Sequence, residues 1–281
     1  MSLVTRFAPS PTGYLHLGHA FSAWNAWHRA REGGGQFLLR LEDIDPGRCR
    51  PDYAAAIEED LAWLGLDWDG PARVQSAHLA DYRVVLDRLD GMGLLYPCFC
   101  TRADIGREVA APHGPEWGPE WGPDGAPVYP GTCRRLSAGE RADRIAAGER
   151  YALRLDMAAA CRPGLTYFEE GQGRLACHPE RFGDVVLARK DAPVSYHLCV
   201  THDDAAQGVS LVTRGIDLRA ATDVHRLLQT LMGWAEPGYA HHRLLTDETG
   251  RRLAKRDRDA TLRQMRADGV TAAAILGRFA V

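Results

Sequence analysis

The sequence predicts an α/β protein built on a parallel sheet with helices on its faces. Two observations carry this. Short apolar runs alternate along the first half of the chain with stretches whose apolar residues recur at helical spacing. The runs are bounded by glycine, proline and charge, the punctuation of strand ends and helix stops. Strand, helix, strand, helix in that order is the pattern of parallel crossovers.

Residues 3–8 form the first expected strand, and Pro9, Pro11 and Gly13 the loop after it. A helix is expected over residues 17–31, stopped by "EGGG". "QFLLRLED", 36–43, reads as a buried strand. A helix after Pro51 carries Tyr53, Ile57, Leu61 and Leu64, and another covers 81–92. The pattern breaks at "LYPCFCT". Residues 111–127, with the direct repeat "GPEWGPEWGPDG", predict a loop insertion too short for a solenoid. A helix over 137–147 follows, with strands near 150–156, 164–169 and 183–190. "SYHLCVTHDDA" and "VSLVTRGIDL" are expected to return to the first sheet, and 219–232 to be helical. One or two short helices end the chain after "GRRLAKRDRD".

A chain of 281 residues can be one large domain or two smaller ones. No apolar run reaches membrane-spanning length, and the N-terminus lacks the charged and apolar segments of a signal peptide. A cytoplasmic protein with no membrane partner is expected, and a monomer. Seven scattered cysteines, an odd number, argue against a disulfide framework. The formal charge of −3 exerts no global pull on nucleic acid, so any such binding needs a local basic patch.

The chemistry concentrates in "RFAPSPTGYLHLGH", 6–19. The C-terminal end of a strand followed by a helix start is where α/β sheets bind ligands, and backbone N–H groups there favour phosphate. Gly18 permits close backbone approach, and His16 and His19, one helical turn apart, can both donate to phosphoryl oxygens. The plainer alternative is a pair of capping histidines facing water. Near the other end, Lys255 in "RRLAKRD" is either part of a solvated basic face or a cation that closes over a triphosphate.

"PSPTGYLHLGH" resembles the first signature of class I aminoacyl-tRNA synthetases in its glutamyl form, and "RLAKR" the second, lysine-bearing one. "LRLEDID", "SYHLCVTHDDA" and "LVTRGIDL" also resemble glutamyl-tRNA synthetases, in family order over nearly the whole chain. The chain stops soon after the lysine loop, where a glutamyl-tRNA synthetase would continue into an anticodon-binding region. Cys98-x-Cys100 with the later "YPGTC" is similar to a zinc site of the truncated paralogues, the glutamyl-queuosine tRNA(Asp) synthetases.

That resemblance implies a Rossmann-like catalytic domain in two halves, 1–95 and 183–235, with an inserted α+β zinc and acceptor-type subdomain at 96–182. The lysine-signature loop and short helices would occupy 236–281. It implies ATP-dependent activation of L-glutamate without tRNA, with Mg²⁺ accompanying ATP, then transfer to queuosine at the wobble position of tRNA(Asp). His16, His19 and Lys255 become catalytic, and with Gly18 they bind ATP. Arg6, Phe7, Ala8, Pro9, Ser10, Glu42, Tyr196 and Arg214 form the glutamate pocket, with Glu42 taking the ammonium. Cys98, Cys100, Tyr129 and Cys133 would hold one structural Zn²⁺, with His113 the alternative fourth ligand. The lysine loop departs from the family's Lys-Met-Ser-Lys-Ser by placing Ala254 before Lys255. The competing functions are a non-catalytic RNA-binding paralogue and an adenylating ligase with another acceptor.

Overall fold

The computed structural model of the chain describes residues 2–110, 121–245 and 261–279. It begins β1 (Val4–Phe7), α1 (Leu17–Glu32), β2 (Gln36–Leu41), α2 (Pro51–Leu64), β3 (Arg73–Val74) and α3 (Leu79–Gly91). β1, β2 and β3 pair in parallel in that order, with Arg6 opposite Leu38. α1 lies close against this sheet because its buried face is mostly alanine: Ala20, Ala23, Ala26 and Ala30, with Phe21. The Thr5 hydroxyl donates to the Ala26 carbonyl at 2.8 Å and ties helix to strand.

The middle of the chain runs through β4 (Leu95–Cys98), α4 (Arg102–Ala110), α5 (Ala138–Ala146), β5 (Ala152–Leu155), α6 (Met157–Ala160), β6 (Thr166–Glu169), β7 (Gly173–Ala176) and β8 (Val186–Ala188). It then continues through α7 (Tyr196–Ala206), β9 (Leu211–Gly215), α8 (Thr222–Met232) and β10 (Gly238–His242), and closes with α9 (Leu262–Ala267) and α10 (Ala272–Leu276). β4, β5 and β8 form a small antiparallel sheet, while β7, β6, β10 and β9 form a second sheet in which β10 runs parallel to both β6 and β9. That second sheet meets the first where the Ser210 N–H donates to the Val4 carbonyl at 3.0 Å.

The parallel α/β framework therefore agrees with the sequence, and three particulars differ. "SYHLCVTHDDA" is helix α7, which packs on α3, α8 and β8 and reaches the first sheet through Asp203 and Asp204, and only "LVTRG" is a strand, β9, paired with β10. "LYPCFCT" contains strand β4. Sheet pairing also crosses the expected 96–182 boundary both ways. The β6–β7 hairpin joins the principal sheet through β10, whereas β8, beyond residue 182, pairs with β5 in the small sheet.

One core cluster packs α1, α2 and the first sheet with Leu262, Ile275 and Phe279 from the C-terminal end. There the Leu262 N–H donates to the Leu15 carbonyl at 2.8 Å, and Thr261 bridges to His16. No helix among the described residues is long and apolar enough to cross a membrane.

Candidate active site

A cavity of about 410 Å³ opens at the C-terminal ends of β1, β2 and β9, beside the start of α1. Its lining includes every pocket residue expected from the sequence: Arg6, Phe7, Ala8, Pro9, Ser10, Glu42, Tyr196 and Arg214, and His19 as well. Thr12, Ser22, Arg48 and Thr213 line it too, without having been expected.

His16 stands next to this cavity, its ring tilted 33° to that of His19 with centroids 3.8 Å apart. The helix start dictates how both rings are oriented. The Gly18 N–H donates to His16 Nδ1 at 3.1 Å, and the His16 N–H donates to His19 Nδ1 at 3.3 Å. A ring nitrogen that accepts a backbone N–H carries no proton, so each imidazole bears its hydrogen on Nε2. Capping the helix thus leaves both rings as donors at the far nitrogen. Gly18 is needed for this packing, because a Cβ there would sit 2.9 Å from His16 Cε1.

Arg6, on β1, is 5% exposed and donates to both oxygens of Asp204 on α7, at 2.9 and 3.3 Å, and to the Thr213 carbonyl. Asp204 also accepts from Arg40 at 2.8 Å. Arg40 lies 3.5 Å from Glu42 and 3.9 Å from Asp203, and Asp203 takes a further bond from Arg73 at 2.9 Å. Three guanidinium groups and three carboxylates are thereby linked in one largely buried network, which Arg73 extends to the exposed Asp81 at 3.4 Å. Burial raises the Glu42 pKa to about 6 against the pull of Arg40 and Arg6. Glu42 Oε1 is buried without a hydrogen-bond partner among the described residues.

Arg214, on β9, is equally buried but differently held. It donates from Nε to His241 Nε2 at 3.1 Å, from Nη1 to His225 Nδ1 at 3.1 Å and to the Tyr196 hydroxyl at 3.5 Å, and from Nη2 to Thr222 Oγ1 at 2.7 Å. Among the described residues no carboxylate lies within ion-pair distance of it, and Asp217, its nearest acid in the sequence, is not a partner.

Cys98, Cys100 and Cys133 come together in the small-sheet region, their sulfurs all within 4.8 Å of one another. Cys100 Sγ lies 3.5 Å from Cys133 Sγ and 3.5 Å from the Tyr129 hydroxyl, which accepts the Cys133 N–H at 2.8 Å. Thiolates about 2.3 Å from a tetrahedral zinc stand ~3.8 Å apart, so this spacing fits a metal and is far too long for a disulfide. The Phe99 N–H donates to Cys133 Sγ at 3.4 Å, a contact that would favour a thiolate there. His113 and Lys255 lie outside the described residues, as does "GRRLAKRDRD" except its neighbours after residue 260.

Sequence reasoning missed Asp204, Thr222, His225, His241 and Glu169, all of which act behind the cavity wall. The available signal was polarity out of place: an acid pair inside "VTHDDA" and a histidine inside the apolar helix "VHRLLQ".

A parallel-sheet site with two histidines at a helix start and a doubly cationic cavity defines a class. The chain belongs to the class I tRNA synthetases (E and Q), whose catalytic-domain model matches residues 2–280. The structure is similar to the crystal structure of a glutamate tRNA ligase from Elizabethkingia meningosepticum in complex with its amino acid. That likeness has a TM-score of 0.76 and 27% identity, covering 92% of this chain and 52% of that one. A glutamate-tRNA synthetase from Elizabethkingia anophelis gives 0.78 and 26%, and again the chain spans about half its length. Along the full length, the chain is 48% identical to the Glutamyl-Q tRNA(Asp) synthetase of Rhodobacter capsulatus, covering 97% of this chain and 98% of that protein. It is 45% identical to that of Nitratidesulfovibrio vulgaris, covering 98% and 85%. Within the class, its family is the glutamyl-Q tRNA(Asp) synthetases.

Proposed function

We propose that the chain activates L-glutamate with ATP, without tRNA, and transfers it to the queuosine base at the wobble position of tRNA(Asp). The observation that carries this is a cavity lined by Glu42 and by two buried arginines, one of which has no carboxylate partner among the described residues. Such a cavity suits an amino acid with an acidic side chain: Arg214 takes the side-chain carboxylate and Glu42 the ammonium. Arg6, already committed to Asp204, shapes the cavity and adds field.

In the first step an α-carboxylate oxygen of glutamate attacks the α-phosphorus of ATP in line. The bond from that phosphorus to the bridging oxygen breaks, and pyrophosphate leaves. No protein nucleophile is needed, so positioning and charge stabilisation supply the rate. His16 and His19 donate from Nε2 to phosphoryl oxygens, with Mg²⁺ arriving on ATP. Lys255, which lies outside the described residues, would add its charge. In the second step a ring hydroxyl of queuosine attacks the carbonyl carbon of the mixed anhydride, and AMP leaves.

Cys98, Cys100, Cys133 and Tyr129 would hold one Zn²⁺ with a structural part, since four protein ligands close the tetrahedron. Metal analysis of chelator-treated protein and of Cys98→Ser tests this: about one zinc in the untreated protein and a loss in the variant are expected, and full occupancy in the variant would refute it. For the activity, glutamate-dependent ATP–pyrophosphate exchange without tRNA is expected, followed by labelling of tRNA(Asp) only when it carries queuosine. No exchange would refute activation, and equal labelling of unmodified tRNA(Asp) would refute the acceptor.

A further inference from the structure

We infer that His225 and His241, which stand behind the cavity wall, are positioning residues that give it its preference for an anionic side chain, by holding Arg214 without cancelling its charge. The inference rests on the glutamate reading above and deepens it.

A guanidinium has only donors, so any ring nitrogen it reaches must be an acceptor. His241 Nε2 and His225 Nδ1 are therefore unprotonated. The His241 proton sits on Nδ1 and is donated to Glu169 Oε2 at 2.8 Å, while the His225 proton sits on Nε2 and is donated to His197 Nδ1 at 3.2 Å. Arg214 thus fixes both tautomers, and the rings in turn fix the plane of Arg214. The His241 side chain is wholly buried and His225 is 3% exposed. Burial, with the Arg214 charge second, lowers the His241 pKa to about 4 and holds His225 well below its ordinary value. Both rings stay neutral where the protein works.

Neutrality is the point. An aspartate in either place would hold the guanidinium as firmly, but would neutralise it, and the cavity would then accept an amide nearly as well as a carboxylate. The acid nearest in this chain of contacts, Glu169, is one imidazole removed and spends its other oxygen on the His241 N–H at 3.0 Å.

The test is pyrophosphate exchange with glutamate and with glutamine, using wild type, His225→Gln, His225→Leu and His225→Glu. Glutamine supplies a neutral acceptor and should leave the KM for glutamate within about threefold, whereas leucine should raise it about tenfold or more, with kcat changed little. His225→Glu should lower the preference for glutamate over glutamine at least about tenfold. A wild-type KM in His225→Leu, or equal losses in His225→Gln and His225→Leu, would overturn the inference, since a merely structural ring would not distinguish acceptors. Should His225→Leu fail to fold, the selectivity of His225→Glu decides: a fall upholds the inference and an unchanged ratio overturns it. Wild type without glutamate-dependent exchange would overturn the functional reading itself, and this inference with it.

Discussion

The two arginines of the cavity are buried to the same degree and could not be held more differently. Arg6 belongs to a network of ion pairs with carboxylates of the chain itself, while Arg214 is ringed by neutral imidazoles and hydroxyls. The contrast teaches that a buried cation serves the fold when its countercharge comes from the chain, and serves a ligand when it does not. An ion-pair network is expensive to break from one side, because an unpaired charge is left in the interior. A cation among neutral ligands leaves no charge behind when it is removed.

Removing each arginine in turn should separate the two roles. Arg6→Ala should lower stability by about 3–5 kcal/mol, seen as a large drop in Tm. Arg214→Ala should raise the KM for glutamate by about a hundredfold or more while moving Tm much less. Equal losses of stability would dissolve the distinction. Next, Asp203→Asn opens the network at a point away from the cavity. It should destabilise by about 3 kcal/mol yet leave the KM within about threefold.

Glu42 joins the two regions, and pH separates its roles. Its pKa in the fold, about 6, lies above the ordinary carboxylate value, so the folded protein binds this proton more tightly than the unfolded chain. The Glu42 contribution to stability therefore improves as pH falls through 6. Its capacity to accept an ammonium fails over the same interval, so the KM for glutamate should rise. Glu42→Gln should abolish that pH dependence while keeping a high KM at pH 8, measured by exchange rates at saturating ATP. The smallest effect is expected at Tyr196. Its hydroxyl lies 3.5 Å from Arg214, the outer edge of hydrogen bonding, and Tyr196→Phe should cost about 0.5 kcal/mol or less.

Much of this was legible from residues alone, and the exceptions share a cause. The opening helices were readable because each has one buried face and so an apolar period, and the strands between them as short buried runs bounded by glycine, proline and charge. Helix α7 was not, since Leu198, Cys199, Val200, Thr201, Asp203 and Asp204 are all buried, and a helix without a solvent face has no period to read. β10 went unseen because "GYAHH" presents histidines, and the inward His241 counts as polar until its partners are known. The cavity's front wall was recoverable from motifs, but the groups behind it come from α8, β6 and β10, which only the fold brings together.

The strand pairing that crosses residue 182 bears on how this protein can be re-engineered. The segment between β4 and β8 is not a cassette, because midway along it the chain leaves the small sheet to lay two strands in the large one. A chimera that exchanged residues 96–182 with a relative would carry off Glu169 and part of the very sheet that supports Arg214. Grafts that respect the architecture would swap the β4–β5 stretch and leave the β6–β7 hairpin with its host.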